Sequence, residues 1–377
     1  MNELAIGLPR LLGPYTLLKR VATGGMAEVY LAKVMGPGGF AKLVALKVIH
    51  PHYSEDAAFV RMLIDEAKVA VSINHNNVVR TFDLGCVDNT YFIVMEHIDG
   101  ADLYRIFHRA AARRQPVPMG IAVTLMMEVC RGLHHVHTRA HPDGQPMVIV
   151  HRDISPQNIL VSYMGEVKIL DFGIAKTDLH SQQTDAGVLK GKYYYMSPEQ
   201  ACGLAVDQRS DIYSTAVVLY ELLVGETLFA KSELPQLLEQ VRQAQIPLPS
   251  SRRSDIPPQL DALLLCALAR QREDRFSSAL DFAKALEAFL RKQQLSVSSA
   301  QIADYMAQLF PDEAAAARRI RTSNLSLPEA SDTPSHTEHW DDTTDLDHLD
   351  ADEFEAIAHR ESVLFPAPPA SDAAPPA

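Results

Sequence analysis

The sequence predicts an α+β protein with two lobes, the first rich in β-strands and the second mainly helical. Short β-branched runs separated by glycines occupy residues 28–32, 43–49, 78–84 and 91–95. Helical periodicity dominates from residue 103 to 290. The chain has 377 residues, 47% of them apolar, which is enough for a two-lobed body followed by a tail. Strands first and helices afterwards favour lobes that pack as separate units.

The remaining elements follow in chain order. Apolar residues four positions apart predict a helix at about 55–73, with its buried face formed by Phe59, Leu63, Ala67 and Val71. Further helices are predicted at 121–137, 211–223, 260–268 and 297–320, with polar surface loops at 109–119 and 138–147. Residues beyond 321 lack apolar periodicity, so we expect disorder there. Two short apolar stretches in this tail, 354–357 and 363–365, are candidates for docking.

The net charge of −12 is concentrated in the tail. From Ser323 onward there are thirteen Asp and Glu against one basic residue, Arg360, so the first 322 residues hold equal numbers of acidic and basic side chains. A neutral body argues against a nucleic-acid-binding surface. We expect the acidic tail to bind a partner or to add solubility.

Cysteine spacing and hydropathy indicate a reducing, aqueous environment. Cys86, Cys130, Cys202 and Cys266 lie far apart, which is neither a disulfide framework nor a metal-binding spacing. The longest apolar candidate for a membrane span, residues 212–224, has 13 residues and contains Glu221, so no membrane span is predicted. No signal peptide precedes the body, and we expect a cytoplasmic protein.

Residues suited to phosphoryl transfer occur in a fixed order along the chain. This chemistry requires phosphates to be held, a metal to lie between them and a hydroxyl to be aligned. The ordered set is VATGGMAEV at 21–29, Lys47, Glu66, HRD at 151–153, Asn158, DFG at 171–173 and SPE at 197–199. It resembles the signature of the bacterial, eukaryotic-like Ser/Thr protein kinases, in their myxobacterial style. Small-molecule phosphotransferases typically lack the SPE segment, which favours a protein substrate.

The resemblance implies a domain organisation and a set of catalytic roles. It implies an N-terminal extension at 1–13, a kinase domain at 14–292 with lobes at 14–96 and 97–292, a helical extension at 293–321 and an acidic tail at 322–377. Asp153 would be the base or orienting group, while Asn158 and Asp171 would hold Mg²⁺ or Mn²⁺. Lys47 and Glu66 would form the phosphate clamp, with Asp65 as the competitor for Glu66. The implied function is a Ser/Thr protein kinase; the alternative is a pseudokinase that acts through nucleotide or partner binding.

The resemblance also implies an ATP site between the lobes. The glycine-rich segment keeps Gly24 of three spaced glycines, with Ala22 and Ala27 at the other two positions, so we expect a stiffer lid. Asp102 would contact the ribose, although it could equally cap a helix. The residues implied to bind ATP are Val21, Ala22, Thr23, Gly24, Gly25, Val29, Ala45, Lys47, Met95, Glu96, Ile98, Asp102 and Leu160.

Two departures from the kinase pattern are reciprocal. Ser155 stands where most Ser/Thr kinases carry lysine, and Lys192 stands where they carry threonine. We hypothesise that Lys192 reaches the γ-phosphate or Asp153 and that the Ser155 hydroxyl makes the bond of the missing threonine. The alternative is that Lys192 is a solvated loop residue and Ser155 caps the turn before Pro156.

Scaffold and regulatory residues complete the predictions. Glu199 is expected to pair with Arg275, and Asp211 to brace the loop that carries His151 and Arg152. Arg152 would receive a phosphate from the activation segment or pair with Asp185. The candidate phosphorylation sites are Thr177, Ser181 and Thr184, of which we favour Thr184. The arginine-rich segment 318–323 is a candidate autophosphorylation site or groove-binding segment, and its arginines also suit a helix C-terminus.

Overall fold

A computed structural model describes residues 8–37, 40–140, 144–145, 147, 149–170, 193–230 and 232–325, with side chains up to residue 319. Within these residues the predicted two-lobed α+β organisation is observed. The first lobe contains a six-stranded sheet, and the second contains a three-stranded sheet among helices. The lobes have separate hydrophobic cores, because the two small clusters of the first lobe do not merge with the large cluster of the helical lobe.

The sheet of the first lobe is antiparallel. Its strand order is β1-β2-β3-β4-β6-β5, and residues on alternate positions such as Leu17, Tyr30 and Leu46 are buried on one face. The predicted strands are confirmed, with one beginning at residue 81 rather than 78. The strands are β1 (Arg10–Leu12), β2 (Tyr15–Thr23), β3 (Ala27–Met35), β4 (Ala41–Ile49), β5 (Thr81–Val87) and β6 (Thr90–Glu96).

The helix predicted at 55–73 is observed as α2 (Ala57–Ser72), after the short α1 (Pro51–Ser54). Asp56 begins α2 because its carboxylate accepts hydrogen bonds from the backbone N–H groups of Ala58 and Phe59. Phe59, Leu63 and Ala67 are buried, as predicted. Val71 was assigned to the same face wrongly: it is 38% exposed, because a spacing of four residues exceeds the roughly 3.6 residues of a helical turn and gradually rotates away from the buried face.

The helical lobe is built around α6, a helix of 17 residues that is buried on almost every side. Its mixed composition gives no amphipathic face, which is typical of a central helix. Strands β7 to β9 form the small antiparallel sheet next to the first lobe. The elements of this lobe are β7 (Gly100–Asp102), α3 (Leu103–Ala112), α4 (Met119–His137), β8 (Ile159–Ser162), β9 (Val167–Ile169), α5 (Pro198–Ala201), α6 (Gln208–Val224), α7 (Leu234–Gln243), α8 (Pro249–Arg252), α9 (Pro258–Ala267) and α10 (Ala279–Lys292).

Two predicted boundaries are wrong. The loop predicted to begin at residue 109 begins later, because α3 continues to Ala112 with its arginines on the outer face. The single helical piece predicted at 297–320 is two helices, α11 (Ser299–Leu309) and α12 (Pro311–Leu325). Pro311 lacks an N–H and disfavours a helical conformation at Phe310, so the chain turns there. The predicted tail docking segments lie outside the described residues.

The four cysteines are free thiols, in agreement with the predicted absence of disulfides. Within the described ranges, no helix combines the length and the apolar character that crossing a bilayer requires.

Candidate active site

The loop from His151 to Asn158 connects buried Val150 to β8 and contains two predicted catalytic residues. The side-chain amide of Asn158 donates hydrogen bonds to the Asp153 carboxylate at 2.8 Å and to the Asp153 carbonyl at 2.7 Å. Both donors of the amide therefore point towards Asp153, and the amide oxygen points away from it. The structure thus brings together Asp153 and Asn158, which the sequence predicts to share one loop.

Asp211, at the start of α6, holds this loop from below. Its carboxylate accepts hydrogen bonds from the backbone N–H of His151 at 2.8 Å and of Arg152 at 2.9 Å. His137 donates a third bond at 2.7 Å, and both side chains are 1% exposed. Burial alone would raise the pKa of Asp211, but the hydrogen bond and charge of His137 and the N–H of His151 lower it. The predicted bracing role of Asp211 is confirmed; His137 was not predicted.

The backbone of Arg152 adopts a positive φ of 63°, which is unfavourable for a residue with a side chain. Two contacts hold it there: Asp211 accepts from its N–H, and the Gln200 amide donates to its carbonyl at 3.0 Å. Gln200 is oriented in turn by Ser197, with which it forms a capping box at the start of α5. The sequence pattern S-P-E-Q is typical of such a capping box, but it does not indicate the contact of Gln200 with the catalytic loop.

Behind the loop, His151 connects it to the end of β9. Its Nε2–H donates to the carbonyl of Leu170 at 2.8 Å, and its Nδ1 accepts from the N–H of Asp153 at 3.3 Å. These two contacts require the neutral tautomer with the proton on Nε2. The ring therefore links Asp153 to the residue that precedes the predicted metal ligand Asp171. Asp171 itself lies outside the described residues.

Ser155 precedes a short 3₁₀ turn, Pro156–Asn158, and is only 2% exposed. Its side chain makes no capping hydrogen bond to that turn, so the interpretation of Ser155 as a turn cap is not supported. Lys192 lies outside the described residues, and the proposed exchange of roles between the two positions therefore stays a prediction. The candidate phosphorylation sites Thr177, Ser181 and Thr184 and the alternative partner Asp185 lie outside them as well.

The glycine-rich segment forms the tip of the β2–β3 hairpin. Thr23 pairs with Glu28, so only Gly24, Gly25 and Met26 remain outside the ladder. The Gly24 N–H donates to Ala27 at 2.8 Å, and Met26 accepts from the backbone of His50 at 2.9 Å. The His50 ring contacts the tip a second time, with Nε2 3.1 Å from the Gly24 carbonyl.

This contact of His50 was not predicted, since nothing in the sequence marks a histidine after β4 as a partner of the hairpin. Because a carbonyl can only accept, the imidazole donates. Val21, Ala22, Thr23, Gly24 and Gly25 are all exposed on this hairpin.

Lys47 and Glu66 lie on neighbouring elements of the first lobe. Lys47 is directly opposite Val29 on β3 and Ile93 on β6. Ile93, Met95 and Glu66 line one small cavity between the sheet and α2. The competitor Asp65 points to solvent, with a 76% exposed side chain 3.8 Å from Lys68. Because Lys47 is opposite Ile93, and Ile93 and Glu66 line the same cavity, the structure favours Glu66 over Asp65 as the residue facing Lys47.

The predicted hinge follows β6. Glu96 forms an ion pair with Lys168 of β9 at 2.9 Å and accepts from the Arg80 N–H at 2.8 Å, so its side chain connects the two lobes. Met95 pairs with Ala45 and is 6% exposed, while Ile98 is half-buried. Apolar side chains of both lobes, Val29, Ala45 and Leu160, are also only half-buried, as expected for residues that line an open cleft.

Asp102 occupies the position predicted for a ribose contact and also caps α3. One carboxylate oxygen accepts from the N–H of Arg105 at 2.8 Å. Burial raises the pKa of this carboxyl, and the N–H of Arg105 opposes that rise. Since Asp102 pairs with Leu160 in the small sheet, the two predicted nucleotide contacts are adjacent.

Two buried contacts fix the segment around SPE. Arg275 donates two hydrogen bonds to the Glu199 carboxylate, both at 2.7 Å, which confirms the predicted pair. Burial by itself raises the pKa of Glu199, but the bonds from Arg275 and Ser210 lower it to about 2. Tyr195, in a 3₁₀ turn that the sequence did not place, donates to Glu221 at 2.8 Å. Burial raises the pKa of Glu221 to about 7.

Comparison with known proteins gives matches over most of the described body. The family model for the protein kinase domain matches residues 15–308. Tyrosine-protein kinase MasK of Myxococcus xanthus (strain DK1622) is 42% identical over 288 residues, which are 76% of this chain and 44% of that protein. Serine/threonine-protein kinase Pkn1 of Myxococcus xanthus is 36% identical over 283 residues, 74% of this chain and 38% of that protein.

A solved structure gives a similar result. The PknI kinase domain of Mycobacterium tuberculosis superposes with a TM-score of 0.56 at 28% identity, covering 75% of this chain and 99% of that domain. The present chain spans less than half the length of the two Myxococcus relatives.

Proposed function

The chain belongs to the protein kinase family, and from this membership we propose that it transfers the γ-phosphate of ATP to serine or threonine hydroxyls of protein substrates. The observation that carries the proposal is the Asp153–Asn158 pair on a loop held by Asp211 and Gln200. Such a loop presents one carboxylate in a fixed position, which is what alignment of a substrate hydroxyl requires.

Asp153 acts on the hydroxyl of the substrate. The bond from Asn158 fixes one carboxylate oxygen at 2.8 Å, and the other oxygen of Asp153 accepts the hydroxyl proton or orients that hydroxyl. A positioned base of this kind contributes roughly 10²- to 10⁴-fold to the rate.

The residues fit ATP with a divalent cation. Because both amide protons of Asn158 are directed to Asp153, its carbonyl oxygen remains for Mg²⁺ or Mn²⁺, and oxygen is the ligand that these ions prefer. When bound, the cation neutralises charge on the phosphates. Asp171 is proposed as the second ligand, and Lys47, paired with Glu66, is proposed to hold the α- and β-phosphates. The half-buried side chains of Val29, Ala45 and Leu160 are proposed to enclose the adenine.

Transfer to tyrosine is the second candidate activity. One relative, at 42% identity, is named a tyrosine-protein kinase, whereas another, at 36% identity, is named a serine/threonine-protein kinase. Phosphoamino-acid analysis of an autophosphorylated sample separates the two. Phosphotyrosine without phosphoserine or phosphothreonine would replace the first proposal by the second.

The experiment that tests transfer compares the wild-type chain with Asp153→Asn in labelled ATP and a divalent cation. We expect loss of incorporation with unchanged thermal unfolding, because the substitution keeps the shape of the side chain. Asp65→Asn is the matched control, since that carboxylate is exposed on α2 and is expected to be silent. Incorporation that survives Asp153→Asn would overturn the catalytic role. Nucleotide binding without any transfer by the wild type would instead support the pseudokinase alternative.

The exchange between Ser155 and Lys192 remains a proposal that the burial of Ser155 supports. Comparison of Lys192→Met, Ser155→Lys and the double variant Ser155→Lys/Lys192→Thr tests it, and full activity of Lys192→Met would exclude it. Thr184→Ala with unchanged turnover would likewise exclude a phosphorylation switch at that residue. The cytoplasmic location and a tail-binding partner stay predictions.

A further inference from the structure

The helices α11 and α12 (Ser299–Leu325), called here the C-terminal clamp, pack on the helical lobe beside the hinge. The apolar side of the clamp is almost fully buried, with Ile302, Met306, Leu309 and Phe310 between 0% and 4% exposed. Burial of this extent indicates that the clamp is docked on the lobe, because an amphipathic helix needs its apolar face covered.

Two glycines of the body make room for the clamp and for the residues that lead into it. A Cβ on Gly165, which lies in the β8–β9 turn at φ +85°, would be 1.9 Å from the carbonyl oxygen of Ser299. A Cβ on Gly120 in α4 would be 2.8 Å from the carbonyl oxygen of Leu295. The surface of the lobe is therefore shaped for the backbone of this segment.

Arginines of α3 bind the end of α11. Arg109 and Arg113 donate to the carbonyl of Leu309 at 3.1 and 3.3 Å, and Arg113 also donates to Gln308 at 2.7 Å. The last carbonyls of a helix lack partners within it and carry partial negative charge, so cationic donors stabilise them. Arg109 also donates to Glu313 of α12 at 3.0 Å.

Phe310 lies between the two clamp helices, and its ring is enclosed by side chains of the helical lobe. The guanidinium carbons of Arg109 and Arg105 lie 4.3 and 5.4 Å from the centre of its ring, and the ring of Tyr163 lies 6.0 Å away. The positive charges above the ring and the tyrosine beside it form a closed pocket.

Two residues, Arg105 and Tyr163, connect this pocket to the proposed nucleotide site through a side-chain contact on one side and a backbone hydrogen bond on the other. Arg105 touches the clamp with its side chain, while its backbone N–H is held by the Asp102 carboxylate at 2.8 Å. Tyr163 touches the clamp with its ring, while its N–H donates to the carbonyl of Asp99 at 2.9 Å. The clamp thus contacts two residues that are hydrogen-bonded to the segment 99–102, which carries the proposed ribose ligand.

We propose that the C-terminal clamp positions Asp102 for nucleotide binding, with Arg105, Arg109, Arg113 and Phe310 as positioning residues. The proposal rests on the proposed ATP site but not on phosphoryl transfer. Because linkage is reciprocal, bound nucleotide must stabilise clamp docking to the same extent that docking strengthens nucleotide binding.

The test measures nucleotide affinity and clamp docking in the same full-length variants. Arg109→Ala/Arg113→Ala removes the donors to Leu309 and Gln308; hydrogen exchange of residues 299–309 reports release. We expect faster exchange there and an increase of about fivefold or more in the Kd of a non-hydrolysable ATP analogue. In the phosphotransfer assay KM for ATP rises by the same factor, whereas kcat and KM for the protein substrate change less than about twofold.

Arg131→Ala is the control, since Arg131 is a comparably exposed arginine that pairs with Glu128 and Glu287 instead of the clamp. If the double variant leaves residues 299–309 protected from exchange, Phe310→Ala removes the enclosed ring and is used instead to release the clamp.

Released clamp residues with an unchanged nucleotide Kd would overturn the proposal. Absence of transfer with a clamp-dependent Kd would overturn only the kinase activity. In the wild type, the analogue must also slow exchange in residues 299–309; an unaffected rate contradicts the coupling.

Discussion

The catalytic loop at 151–158 is held by the buried Asp211 and the half-buried Gln200 of distant helices, whereas the glycine-rich tip at 24–26 is held by backbone bonds and one half-buried histidine at the surface. Asp211 and Gln200 reach the catalytic loop from 48 to 60 residues away. His50 contacts the hairpin tip at the surface, 26 residues away. Buried hydrogen bonds are stronger and their loss is costlier, because water cannot replace the missing partner.

The difference matches what each loop must do. The catalytic loop has to hold Asp153 in one position, and the buried hydrogen bonds of Asp211 provide that rigidity. In the proposed function the hairpin tip covers the nucleotide, and an exposed attachment of a few hydrogen bonds allows the tip to move when nucleotide enters. The predictions below test this contrast, from the largest expected effect to the smallest.

Asp211→Ala should remove activity and also lower the free energy of unfolding by about 3–5 kcal/mol, since two backbone N–H groups and His137 lose their buried acceptor. Urea unfolding and the phosphotransfer assay measure the two effects. Asp65→Ala, at a 76% exposed position, is the control and should stay within about 0.5 kcal/mol. An active Asp211→Ala enzyme would show that the buried network does not hold the loop.

Glu199→Gln should lower the free energy of unfolding by about 3–5 kcal/mol at neutral pH, because it leaves the fully buried Arg275 without a counter-charge. The effect depends on pH. The pKa of Glu199 is lowered to about 2 from 4.5, so the stabilisation is complete above about pH 4.5 and is lost as the pH falls towards 2. The free energies of unfolding of the wild type and the variant should therefore become equal in acid, as measured by denaturant unfolding at several pH values. A difference that stays constant with pH would contradict the ionised pair.

Glu221→Gln tests a buried carboxyl without a counter-charge among its described contacts, which are the Tyr195 hydroxyl and the Leu228 N–H. Since burial raises the pKa of Glu221 from 4.5 to about 7, the wild type should lose stability as the pH rises through this interval. At about 1.4 kcal/mol per pKa unit, a rise of this size corresponds to a loss of roughly 3–4 kcal/mol. In the glutamine variant the carbonyl oxygen can accept from the Leu228 N–H while the NH2 group donates to the Tyr195 hydroxyl oxygen, so this variant should be the more stable protein at pH 8. Parallel stability curves between pH 4.5 and 8 would exclude this titration.

His50→Ala should have the smallest effect on folding, about 0.5–1.5 kcal/mol, because only one exposed hydrogen bond is lost. We expect KM for ATP to rise about threefold to tenfold, since the hairpin tip loses its side-chain attachment. His52→Ala is the control: His52 stacks near His50 but is exposed and lies outside the hairpin contact. His50→Gln, which retains a donor, should recover part of the affinity. A KM equal to that of the wild type would show that the backbone bonds suffice.

Much of this architecture could be predicted from local patterns. The strands and α2 follow from periodicity, and the pairs Glu199–Arg275 and Asp153–Asn158 follow from motifs whose spacing is tied to one geometry. What could not be predicted depends on single contacts between distant segments. Nothing near Gln200, His137 or His50 in the sequence indicates its partner, which lies between 26 and 74 residues away in the chain.

The helix boundaries failed for a related reason. Arg109 in α3 and Arg113 directly after it suggested a polar loop, yet both side chains donate hydrogen bonds to the clamp, which lies about 200 residues further along the chain. Pro311 at the first position of α12 is a sequence signal for the break between α11 and α12.

The residue at position 120 is expected to differ between related sequences with and without a docked clamp. Glycine is a weaker helix former than alanine, and Gly120 lies in the first turn of α4, so its presence there calls for a reason. Here the reason is the carbonyl of Leu295, which leaves no space for a methyl group. In a related sequence that lacks the clamp this restriction disappears, and selection for helix stability favours alanine. The residue at this position should therefore distinguish kinases that carry a docked clamp from those that do not.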